Sequence, residues 1–139
     1  MLSSSQNNLR REDYTGRIMS AKKVLLVEDD AALSDAFSIM LTKNGYDVQT
    51  AFNGREALDI VKDFTPDIIL LDLLMPIMGG REFLQQFENN SAIPIIVFSN
   101  LDSKKEIEEV MELGATRYML KAWATPPELV RIIQNTLDS

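Results

Sequence analysis

Five side chains in this sequence could carry chemistry: the Glu28, Asp29 and Asp72 carboxylates, the Ser99 hydroxyl and the Lys121 ammonium. Each stands where an apolar run ends. "VLLVEDD" runs into acids at 28–30, "DIILLD" into Asp72, "IPIIVFS" into Ser99 and "YMLK" into Lys121. Asp72 is the most demanding, because a charge beside a hydrophobic strand is costly unless it is paired or liganded. Three carboxylates gathered together repel and raise one another's pKa unless a cation intervenes. Oxygen ligands in a small cluster suit Mg2+, which takes a few carboxylates plus water and phosphate oxygens. Lys121 adds a second positive charge. Two cations and a hydroxyl around one carboxylate suit phosphoryl transfer, which rests on positioning and on neutralising three equatorial oxygens. Asp72 is then the nucleophile, a carboxylate able to form an aspartyl phosphate.

Taken singly, each residue has a simpler reading. Asp29 or Asp30 could cap the first helix. Ser99 could be an ordinary loop hydroxyl, and Lys121 a surface lysine with its stem on apolar neighbours. Their shared position is what selects the chemical reading, since ligands of open parallel sheets bind outside the carboxyl ends of the strands.

The elements that must position these groups alternate along the chain. Apolar runs at Val24–Val27, Ile68–Leu71, Ile93–Phe98 and Tyr118–Leu120 are short and continuous, as in strands covered on both faces. Tyr46–Ala51 alternates apolar with polar residues and suits a half-exposed edge strand. Between them lie helical spacings. Leu33, Ala36, Phe37, Met40 and Leu41 form one apolar face, and Ile107, Val110 and Met111 another. Ala57, Leu58 and Val61 share a face within Gly54–Phe64, as do Phe83, Leu84 and Phe87 after Gly79-Gly80. Gly45 suits the left-handed position that ends the first helix. Thr125, Pro126 and Glu128 form a capping box for the last one, whose buried face is Leu129, Ile132, Ile133 and Leu137. Strand and helix alternate five times, which predicts an α/β fold with a parallel sheet and helices on both faces. Residues 1–20 are polar and without period, and read as a disordered tail before one domain over 21–139.

Composition closes off other classes. With no His and no Cys there is no imidazole base, zinc site, phosphohistidine, thiol nucleophile or disulfide in this sequence. A net charge of -7 argues against non-specific nucleic-acid binding. No apolar run is long enough to insert in a membrane, and the N-terminus lacks the apolar core of a secretory signal. A cytoplasmic protein is expected. The absence of G-x-x-x-x-G-K-[ST] excludes a P-loop NTPase.

The set "LLVEDD", "DIILLDLLMPIMGG", "IPIIVFSN" and "YMLKA" resembles the receiver domain of two-component response regulators, over about residues 22–138. Four separated elements match in order and spacing. The resemblance implies a flavodoxin-like, doubly wound, five-stranded parallel sheet of order 2-1-3-4-5. It also implies that Asp72 is the phosphoacceptor. Glu28, Asp29, Asp72 and the backbone carbonyl of Leu74 would hold Mg2+. Ser99 and Lys121 would bind the phosphoryl group, and Tyr118 would be the aromatic switch that follows Ser99. Pro76 and Gly80 match the turn after the acceptor.

Some positions depart from the family pattern. Ala122 stands where a proline usually follows the lysine through a cis bond. A cis peptide before Ala costs about 2.5–4 kcal/mol, so this bond is either trans or strained. Asn100 replaces a small residue and Gly79 a commonly acidic one. Leu74 and Leu101 occupy positions that influence how attacking water is placed, and apolar side chains there predict slow self-dephosphorylation. Leu74 also removes the acid-base carboxylate that a phosphoaspartyl hydrolase needs.

The expected function is therefore a stand-alone receiver, not a turnover enzyme. Its donor is a histidine kinase or phosphotransfer protein, and its output passes to a downstream protein target through the fourth helix, fifth strand and fifth helix. Trp123 lies near that surface or in the core. No nucleic acid and no membrane insertion are expected, and the chain should be a monomer or weak dimer. The alternative is a pseudo-receiver binding module that is never phosphorylated.

Overall fold

The computed structural model describes residues 11–12 and 18–138. Five parallel strands form one sheet: β1 (Lys23–Val27), β2 (Asp47–Ala51), β3 (Ile68–Leu71), β4 (Ile95–Ser99) and β5 (Arg117–Leu120), in the order β2-β1-β3-β4-β5. The helices are α1 (Ala31–Lys43), α2 (Gly54–Ile60), α3 (Gly80–Gln86), α4 (Lys104–Glu112) and α5 (Pro126–Leu137). This is the doubly wound order 2-1-3-4-5 expected above.

Strand side chains alternate between two faces, so each central strand feeds two cores. Val24, Leu26, Ile68, Leu70, Ile96 and Phe98 pack under α1 and α5 against Phe37, Leu41, Leu129 and Ile133. Leu25, Val27, Ile69, Leu71, Ile95 and Val97 pack on the other face against Ala57, Phe83, Leu84 and Val110 of α2, α3 and α4. Double coverage is the physical reason that β3 and β4 are apolar without interruption. At the sheet's edge β2 is only partly covered and keeps its alternation.

Local signals end the helices as the sequence predicts. Gly45 takes φ 88, and the Tyr46 and Gly45 N–H groups donate to the Leu41 and Thr42 carbonyls at 3.1 and 3.0 Å. This is the Schellman arrangement that satisfies the last carbonyls of α1. Thr125 Oγ1 caps α5 by accepting from the Glu128 N–H at 3.3 Å. Of the two candidate caps for α1 it is Asp30 that acts, accepting from the Leu33 N–H at 3.1 Å. Asp29 is left free for the rim.

Three assignments need correction, and one left open is decided. Ala36 is exposed, and Ser34 takes the buried place beside Phe37 on α1, because the face in contact with the sheet centres on positions 34, 37 and 41. Met111 lies 39 % exposed at the edge of the α4 stripe, with Val110 its buried member. The run Ile93–Phe98 enters the sheet only at Ile95. Asn89 grips Ile93 at both its N–H and its carbonyl (2.8 and 2.9 Å), while Ala92 sits at φ 52. Trp123 is 72 % exposed and not in the core, carried outward by the short 3-10 turn Lys121–Trp123.

The expected disordered tail falls largely on residues outside the described ones. Within it, Arg11–Glu12 pairs antiparallel with Ile18–Met19. Among the described residues no helix is long and apolar enough to cross a membrane.

Candidate functional site

Register places the chemistry. Val27 pairs with Leu71, and Leu71 with Val97, across the three central strands. The next residues on β1 and β3 are Glu28 and Asp72, so both leave the sheet at one rim. Backbone bonds continue the ladder there. The Glu28 N–H donates to the Ala51 carbonyl and the Asp72 N–H to the Val27 carbonyl, each at 3.0 Å. On the other side Ser99 pairs with Leu120, which delivers Lys121 one residue further along the same rim.

The carboxylates of Glu28, Asp29 and Asp72 offer oxygens within 4.8 Å of one another. Glu28 and Asp72 are buried, and Asp29 is exposed. The Lys121 Nζ reaches between them, 2.6 Å from Glu28 Oε1 and 3.3 Å from Asp72 Oδ2. It also lies 5.8 Å from the centre of the Phe98 ring. Among the described residues no peptide bond is cis, so the Lys121–Ala122 bond is trans and the lysine spans the site from that conformation. The Asp30 N–H donates to Glu28 Oε2 at 3.1 Å.

Burial dominates the electrostatics. It pushes Glu28 up to about 7, against the opposing pull of Lys121 and of the Asp30 N–H. Burial likewise raises Asp72, with the Lys121 charge pulling the other way. For Lys121 burial favours the neutral amine, but the hydrogen bond with Glu28 and the charges of both carboxylates outweigh it, and its pKa is raised. The cluster thus holds more negative charge than one lysine balances.

Oxygen donors alone, without nitrogen or sulfur, fit a hard dication such as Mg2+. A second observation agrees: Glu28 Oε1 is closed off from solvent, and the ammonium of Lys121 at 2.6 Å is the cation it meets there. Leu74 lies two residues beyond Asp72 with its side chain 62 % exposed. The loop that carries it is tightly drawn. A Cβ on Gly80 would stand 2.3 Å from the Asp72 carbonyl oxygen, so only glycine lets α3 start this close to the acid. Sequence reasoning matched Gly80 to a turn but had no signal for that approach.

Ser99 and Tyr118 converge on one residue that the sequence did not single out for this. The Ser99 hydroxyl accepts from the Leu101 N–H at 3.3 Å, while the Tyr118 hydroxyl donates to the Leu101 carbonyl. Leu101 is held at both backbone groups. Tyr118 is half-buried, and burial raises its pKa, against the Ser99 hydroxyl's hydrogen bond.

Residues 24–134 match the family model described as the response regulator receiver domain. The fold is similar to a CheY-like receiver domain protein from Methanospirillum hungatei JF-1 (28% identity, TM-score 0.80), covering 86% of this chain and 95% of that one. It is also similar to the chemotaxis response regulator CheY4 of Vibrio cholerae (32% identity, TM-score 0.76), over 84% and 98% of the two chains. The receiver domain of the Francisella response regulator 1452 shares 32% identity over 84% of this chain and 95% of its own, with TM-score 0.75.

Proposed function

The chain belongs to the response regulator receiver domain family of two-component signalling, and we propose that it accepts a phosphoryl group on Asp72 from a partner phosphohistidine protein. The observation that supports this best is Lys121 bridging Glu28 and Asp72 at a rim where Ser99 also ends its strand. A cation already lies where negative charge must accumulate.

In the transfer, an Asp72 carboxylate oxygen attacks phosphorus. The P–N bond of the donor breaks, and its electron pair returns to the imidazole nitrogen. Lys121 balances charge on the acceptor and then on the phosphoryl oxygens, in surroundings dry enough to strengthen the attraction. Glu28, Asp29, Asp72 and the Leu74 carbonyl would hold Mg2+, which when bound supplies further neutralisation of the phosphoryl oxygens. The Ser99 hydroxyl turns to donate to a phosphoryl oxygen. In turning it releases the Leu101 N–H, and Leu101 is also the acceptor of the Tyr118 hydroxyl. The displacement therefore reaches Tyr118 through one residue, biasing a pre-existing equilibrium of the α4–β5–α5 surface.

Such a protein is a signalling module. At most it catalyses its own phosphorylation and slow dephosphorylation, in the cytoplasm, between a histidine kinase or phosphotransfer donor and a downstream protein. The test is intact mass after incubation with Mg2+ and a small acyl phosphate. One phosphate gained by the wild type and none by Asp72→Asn is the expected result. No gain from any donor, with no Mg2+ binding, overturns the proposal in favour of an unphosphorylated binding module.

A further inference from the structure

The loop that follows Asp72 is held at two backbone points. The Gly80 N–H donates to the Leu73 carbonyl at 2.9 Å, and the Gly54 N–H of α2 donates to the Met78 carbonyl at 2.7 Å. Leu74 to Ile77 lie between these two bonds, so the Leu74 carbonyl is carried on the span they enclose. That span is not relaxed. Ile77 stands at φ 69, and the Met78 N–H closes a tight turn on the Pro76 carbonyl at 2.7 Å. A β-branched residue in the left-handed region persists only where its surroundings over-determine it. Here they do so through Met78, whose side chain is buried and whose carbonyl is gripped by Gly54.

The grip follows from how α2 begins. The first N–H of a helix has no acceptor inside the helix, so this one is free to serve the loop. Asn53 sets that start: it is buried, and its side chain caps α2 by accepting from the Glu56 N–H at 2.9 Å. Glu56 reaches back to the Phe52 N–H at 3.3 Å. The approach leaves no room for a side chain. A Cβ on Gly54 would stand 2.8 Å from Met78 Cγ and 3.0 Å from the carbonyl oxygens of Met78 and Gly79. The methionine could swing aside, but the two carbonyls could move only with the loop.

We infer that Gly54 is a positioning residue for the metal site: through the Met78 carbonyl it fixes the span that carries the Leu74 carbonyl. The inference rests on the Mg2+-dependent reading above and extends it to a helix that supplies no ligand. A span already held loses less freedom when it takes up an ion. Outer partners of this kind are worth about 10–100-fold in metal affinity. The coupling is reciprocal, so an ion that gains from the grip must also tighten it.

The test is a Mg2+ titration of the whole chain, followed by amide NMR, in the wild type, Gly54→Ala and Ala57→Gly. Ala57 is buried in the same helix, and its variant weakens α2 while leaving the Gly54 N–H in place. Gly54→Ala should bind Mg2+ about tenfold or more weakly, and Ala57→Gly should lose clearly less for a similar fall in Tm. In the wild type, saturating Mg2+ should slow hydrogen exchange at the Gly54 amide by about tenfold, and at the Ala57 amide less. Wild-type affinity in Gly54→Ala overturns the inference, and so does equal weakening in Ala57→Gly, which would assign the effect to the stability of α2. Exchange at Gly54 that ignores Mg2+ overturns it as well. A wild type that binds no Mg2+ is a distinct result, because it removes the metal reading itself and this inference with it. If Gly54→Ala fails to fold, the wild-type exchange decides alone.

Discussion

Replacing Lys121 with Met keeps an unbranched apolar side chain and removes the cation, which lies 5.8 Å from the centre of the Phe98 ring. What remains is Glu28, fully buried, facing Asp72, 3 % exposed. Breaking a buried ion pair by deleting one partner costs about 3–5 kcal/mol, because the other charge stays buried. Protons limit that loss. Glu28 already lies at about 7 in the presence of Lys121, and without it both carboxyls move higher. A carboxyl raised on folding binds its proton more tightly in the folded chain. Its stabilising contribution is full below the unfolded pKa of 4.5 and lost as pH rises through about 7. At about pH 5.5 the variant therefore holds Glu28 neutral and loses on the order of 1 kcal/mol, the worth of an ordinary hydrogen bond. At about pH 8 the loss is about 3–5 kcal/mol, or roughly 10–15 °C in Tm for a domain of this size. Thermal unfolding of both proteins without divalent ions, at the two pH values, measures the difference directly. Saturating Mg2+ should recover much of the deficit at the higher pH, since an ion that binds only the folded state stabilises it by mass action. An equal loss at both pH values would refute the charge reasoning and assign the effect to packing of the stem.

Further outcomes follow from the same geometry. Gly80→Ala drives a Cβ into the Asp72 carbonyl and should cost about 1–3 kcal/mol in urea unfolding while slowing acyl phosphate labelling. Wild-type labelling kinetics in that variant would show that the close approach is unimportant. Ile77 is β-branched at φ 69 within the γ-turn closed by Met78 N–H to Pro76 O at 2.7 Å, and it is 82 % exposed. Ile77→Gly should relieve strain and stabilise by about 1 kcal/mol, read as a higher urea midpoint. Leu74, two residues beyond Asp72, and Leu101 line one depression with apolar side chains that cannot orient a water, so the phosphorylated protein should hold its phosphate far longer than seconds without a phosphatase. A half-life of seconds, followed by intact mass, would exclude that reading.

Much of the site was legible before any fold was known. A polar or charged residue at the end of an apolar run is a local signal, and the parallel α/β pattern sends every strand end to one edge. That was enough to select Glu28, Asp29, Asp72, Ser99 and Lys121. It was not enough to rank their contacts. Lys121 lies nearer to Glu28 than to Asp72, and Leu101 links Ser99 to Tyr118, because of how β5 and the loop before α4 settle against the sheet.

The sequence by itself determined the elements, their caps and the chemical groups delivered to the rim, since periodicity and turn residues act over a few positions of chain. Only the tertiary structure decided which atoms meet. Gly80 against the Asp72 carbonyl and the outward Trp123 both depend on distances between segments far apart in sequence. Those distances are set by sheet register and helix packing, which no local pattern encodes.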